Sequence, residues 1–114
     1  MSDAQLLRAA ADRVEQLAAR TTPGDWRPAG LLASRPEVVA HRTDGGTEHV
    51  AEARAGSGAW IAAFSPALAG PLVDLLRATA AQPDPEPAAV ALARVLLDRL
   101  PRPGHRRASP SLGA

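Results

Sequence analysis

Two histidines offer the first chemistry in this 114-residue chain. His41 and His49 flank a turn-like stretch, Arg42-Thr43-Asp44-Gly45-Gly46, and Glu37, Glu48 and Glu52 lie nearby in sequence. Imidazoles and carboxylates bind metals and carry protons, so the question is whether the turn brings them together. Asp-Gly and Gly-Gly supply the positive φ angles that tight hairpins need. A three-residue loop, Asp44-Gly45-Gly46, would set His41 opposite His49 with Cβ atoms about 4.5–5.5 Å apart. A two-residue loop would offset them by one and turn them to opposite faces. Two histidines without a further ligand at a defined spacing make a weak metal signal. They read as surface cross-strand residues, and no metal is expected.

The other candidates are thinner still. "AGSGAW" (residues 55–60) lacks the third glycine of a dinucleotide fingerprint, where Ile61 stands, and the chain has no lysine for a phosphate loop. It is not a nucleophile elbow either. Ser57 reads instead as the N-cap of a helix carrying Trp60. Asp74, Asp84, Glu86 and Asp98 are scattered and form no acid–base pair. With no cysteine, thiol chemistry and disulfides are excluded. No catalytic residue, cofactor or metal ligand is assigned, and the chain is read as a non-enzyme.

The elements that would position these residues make an α+β fold. In "SDAQLLRAAADRVEQLAAR", Ser2 and Gln5 have capping-box spacing, and Leu6, Ala10, Val14 and Leu17 form one apolar stripe. Pro23-Gly24 closes that helix. A short strand over 26–33 is expected, then a hairpin of Glu37–Arg42 and Thr47–Ala53, giving a small antiparallel sheet. Trp26, just behind the Pro-Gly turn, reads as a core anchor whose indole folds onto the helix. Trp60, Ile61 and Phe64 share a helical face. Ser65-Pro66 reads as a new cap and first helical residue, and Gly70-Pro71 as an interruption before a main helix, Pro71 to Ala81, with Leu72, Leu75, Leu76 and Thr79 inward. The domain therefore covers 1–81. A Pro-rich linker, 82–87, leads to a C-terminal helix, 88–100, and a disordered basic tail, 101–114.

Composition limits the interior. Of the chain, 46% is hydrophobic, but 26 residues are alanine, so the core is thin and tryptophan counts heavily. Leu92, Val95, Leu96 and Leu100 form a candidate partner interface, covered by an unknown protein or by self-association. Residues 1–98 carry nine Arg against twelve acids, and 99–114 four Arg and no acid. Arg102, Arg106 and Arg107 are thus candidate contacts for weak nucleic-acid binding, which would be strongly salt-dependent. No signal-like start and no 18-residue apolar stretch is read, so no membrane contact and a cytoplasmic location are expected.

One pattern points to kinship. Thr22-Pro23-Gly24-Asp25-Trp26, then Val50–Ala53 ("VAEA"), then Ile61-Ala62-Ala63 with Pro66 and a leucine helix, resembles the Ead-like group of small phage and prophage accessory proteins and their actinobacterial relatives. The resemblance covers about residues 6–77. It departs from the family at Gly58-Ala59-Trp60 and at Pro71. It implies a phage-type or mobile-element origin, a fold, and structural roles for Trp26, Trp60, Ile61 and Pro66, without a reaction. Protein–protein contact is the expected activity, and a nucleic-acid-associated regulator is the alternative.

Overall fold

The computed structural model describes residues 1–30 and 36–102. It is α+β: helix α1 (Asp3–Ala18), strands β1 (Asp25–Ala29), β2 (Glu37–His41) and β3 (Thr47–Glu52), then helices α2 (Ala55–Ala63), α3 (Ala69–Ala80) and α4 (Pro87–Arg99). The described residues form two compact units, one of 1–17 with 73–102 and one within 18–72.

The first unit is helical. Ser2 caps α1 reciprocally: its backbone N–H donates to Gln5 Oε1 at 2.8 Å, and its Oγ accepts from the Gln5 N–H at 3.1 Å. Leu7, Ala10, Ala11 and Val14 are buried, so the stripe is rotated by about a residue from the one expected through Leu6 and Leu17, which are half-buried. Val73, Leu76, Thr79 and Ala80 of α3 and Val90 and Ala93 of α4 complete this interior. Thr79 is accommodated there because its hydroxyl donates to the Leu75 carbonyl at 2.8 Å. Leu75 itself is 56% exposed, against the expectation that it faces inward. The end of α4 has a specific device. Pro101 has no N–H for the Leu97 carbonyl, and Arg13 Nη1 from α1 donates to that oxygen instead, at 2.7 Å.

The second unit is a three-stranded antiparallel sheet in the order β1-β2-β3, with α2 against it. The inner face carries Val38 and Ala40, both fully buried, with Trp26 opposite Ala40 on β1. Gly58 of α2 lies over Val38, where an added Cβ would come within 3.7 Å of Val38 Cγ2. Gly24 has φ +119°, and a Cβ there would stand 2.9 Å from the His41 carbonyl oxygen. The Pro-Gly turn thus lets the chain enter β1 in close contact with β2. Trp26 follows at once, half-buried, its indole N–H donating to the Thr22 carbonyl at 2.9 Å.

Several local expectations are corrected. β1 ends at Ala29, and residues 31–33 of the expected strand lie outside the described residues. The hairpin loop does have three residues, but they are Thr43-Asp44-Gly45. The Arg42 N–H bonds the Gly46 carbonyl at 2.8 Å, the Gly45 N–H bonds the Arg42 carbonyl at 3.0 Å, and Gly45 takes φ +88°. Asp44 draws the turn to this position by accepting the Gly46 N–H at 2.7 Å. The helix around Trp60 starts before Ser57, with Arg54 as its N-cap and no side-chain cap bond. The break falls at Phe64-Ser65, not at Gly70-Pro71: Ser65 is extended and its Oγ accepts the Ala67 N–H at 3.3 Å, opening a 3-10 turn, Pro66–Leu68. Pro71 sits in the first turn of α3, where a missing N–H leaves no bond broken. The 82–87 linker gives way to α4 at Pro87, a preferred first helical residue. The 103–114 part of the expected tail lies outside the described residues.

Candidate functional site

The hairpin register decides what the histidines can do. His41 faces Thr47 and His49 faces Val39, so the two share the outer, exposed face but are offset diagonally. The loop begins one residue earlier than expected, which moves the pairing by two and preserves the faces. A bulge at Val50 lets Val38 pair with Ala51 and Glu37 with Glu52. His49 Nδ1 lies 2.7 Å from Glu37 Oε1, and His41 pairs across β1 with Asp25, itself bonded to Arg27 at 2.6 Å. Arg42 bonds Glu48 at 3.1 Å. The two arginine–carboxylate contacts are exposed ion pairs, each worth at most about 1 kcal/mol. Among the described residues, no three His, Asp or Glu side chains converge as a metal site.

The distinctive surface lies on α2. Its inward side carries Gly58, Ile61, Ala62 and then Ser65, and its outward side Ala59, Trp60, Ala63 and Phe64. Helical spacing sends these two sets to opposite sides, and only one of them meets the sheet. Trp60 is 67% exposed and Phe64 54%, and their rings stack with centroids 4.4 Å apart and planes 28° from parallel. The structural role implied for Trp60 is therefore corrected: it contributes little to the interior. Ala67 and Pro71 continue the exposed surface, and no charged residue occurs from 55 to 73. The sequence shows the charge-free run and the i, i+4 spacing of Trp60 and Phe64, but Ile61, expected on their face, turns inward instead.

The absence of a long apolar stretch is corrected too. Gly56–Ala80 is long and apolar enough, by length and composition, to cross a membrane, and little of it is buried. Its backbone turns at Ser65, however, and Arg77 near its end is held by Asp12 at 2.9 Å and Glu15 at 3.0 Å.

The sequence-derived interface on α4 is only partly exposed. Leu92 and Val95 are 37% and 56% exposed, whereas Leu96 and Leu100 are half-buried. Arg102 is exposed, and Arg106 and Arg107 lie outside the described residues. No protein-family model, curated protein or solved structure matches this chain.

Proposed function

We propose that this chain is a small accessory protein of the phage or mobile-element kind, acting in the cytoplasm through protein–protein contact and without catalysis. The outward face of α2 is its binding surface. The observation that carries this reading is the stacked Trp60–Phe64 pair, which projects from a helix already anchored to the sheet by its other side. Two large aromatics left in water cost solubility and add nothing to a core that is short of bulky side chains, whereas aromatic residues are the usual anchors of protein interfaces. The T-P-G-x-W and I-A-A patterns support the kinship.

The test compares wild type with a Trp60→Ser/Phe64→Ser double variant. The variant is expected to keep the wild-type melting temperature and to lose retention of a defined partner from host lysate, where that partner is identified by mass spectrometry. Unfolding of the variant, or identical retained proteins for both together with an unchanged oligomeric state, overturns the reading.

A further inference from the structure

The face of α2 has a feature that narrows its occupant. Along the outward side, bulk and notch alternate: Gly56 and Ala59, then Trp60, then Ala63, then Phe64 at the C-terminal end, all exposed. An antiparallel copy of the same helix presents its small residues where the first presents its rings. We propose that this face is an isologous dimer interface, in which two copies of the chain pair α2 against α2 across a two-fold axis. The inference rests on the reading of this surface as a contact site and names its partner.

Charge permits a second copy and disfavours an anionic occupant. Residues 18–72 hold Arg20, Arg27, Arg35, Arg42 and Arg54 against Asp25, Glu37, Asp44, Glu48 and Glu52, so 5 − 5 leaves this unit neutral. A neutral body neither repels its own copy nor attracts an anionic lipid or a phosphate backbone. The interface itself contains no charge from 55 to 73 to bury unpaired.

Area sets the strength. Trp and Phe bury about 150–250 Å² each when covered. At 67% and 54% exposure, about 250 Å² of ring surface stays uncovered per copy, or about 500 Å² for two. That is about half of the ~1,000 Å² a credible interface requires. Ala59, Ala63, Ala67 and Pro71 are exposed as well and add apolar area beside that of the rings. A dimer at this lower limit is weak and concentration-dependent, with a dissociation constant on the order of tens of micromolar.

Sedimentation velocity of the full chain from about 1 µM to 1 mM tests this, since that span brackets the expected constant. Wild type is expected to pass from monomer to dimer, and Trp60→Glu and Phe64→Glu each to weaken dimerisation at least about tenfold. Both side chains are exposed, so far-UV circular dichroism should be unchanged. A second measurement uses the absence of cysteine. Ala63→Cys is expected to form a covalent dimer on mild oxidation far faster than Gln82→Cys, at a position that is also exposed. A monomer at every concentration, with both cysteine variants cross-linking equally slowly, overturns the proposal, as does dimerisation that survives Phe64→Glu and is lost in Val95→Glu. Binding of the monomer to phosphatidylcholine vesicles through Trp60 overturns it as well, with lipid as the occupant. In the monomeric outcomes the lysate comparison still decides whether α2 is a contact surface, so the two readings fail separately.

Discussion

At the scale of single residues, two glycines with positive φ have different consequences. Gly45 takes φ +88° in the hairpin turn with nothing within 4 Å of an added Cβ, so only the backbone conformation resists a side chain. Gly24 takes φ +119° and adds a 2.9 Å clash with the His41 carbonyl, a main-chain atom that cannot swing aside. Gly45→Ala is expected to cost about 1 kcal/mol and Gly24→Ala about 2–3 kcal/mol, read by urea denaturation. Equal losses at both positions would show that the close approach at Gly24 contributes nothing. The two tryptophans diverge in the same local way. Trp26 sits on the inner face of the sheet with its N–H bonded, while Trp60 sits on the side of α2 that no strand covers. Their chemistry is the same, and only the side of the element differs.

At the scale of elements, helix ends and ion pairs show how an alanine-rich chain is held. The Arg13 bond to Leu97 joins α1 to the end of α4, and Arg77 joins α3 to α1 through Asp12 and Glu15. The Arg77 guanidinium, first by its hydrogen bond and then by its charge, holds the Glu15 carboxyl below its ordinary 4.5. Glu15 and Asp12 in turn push the Arg77 pKa upward. A carboxyl depressed in the folded state stabilises fully above its unfolded pKa and stops doing so as pH falls through the lower, folded value. Wild type should therefore exceed Arg77→Gln in melting temperature at pH 6 in low salt, and this advantage should vanish toward pH 3. A constant difference across that range would refute the assignment. All three side chains are well exposed, so added salt should shrink the advantage at pH 6 as well. Much at this scale was legible beforehand. The Ser2–Gln5 cap and the Ser65-Pro66 start are local patterns, each fixed by hydrogen bonds a few residues long, whereas Pro87, assigned to the linker, is the first residue of α4. The helix break was placed wrongly because Pro71 looks disruptive in sequence, whereas a proline in the first turn of a helix forfeits no bond.

At the scale of the whole molecule, charge is spread so that electrostatics has little hold on association. The formal net charge is +1, and residues 18–72 balance to zero. Raising the salt from about 0.05 to 1 M should leave the α2-mediated dimer intact or tighten it slightly, because salt screens charges and strengthens apolar burial. Dissociation by salt, followed by light scattering, would instead place charged groups at the interface. By itself the sequence determined the α+β class, the Ser2–Gln5 and Ser65 caps, the antiparallel hairpin and the lack of thiol chemistry, because these follow from spacing, proline and glycine geometry, and composition over short stretches. Tertiary structure alone decided the faces: that His41 and His49 share one without opposing each other, and that Trp60 and Phe64 look outward while Gly58 meets Val38. An apolar helix such as α2 has no polar side to mark in advance which way it turns, so only its packing against the sheet could choose.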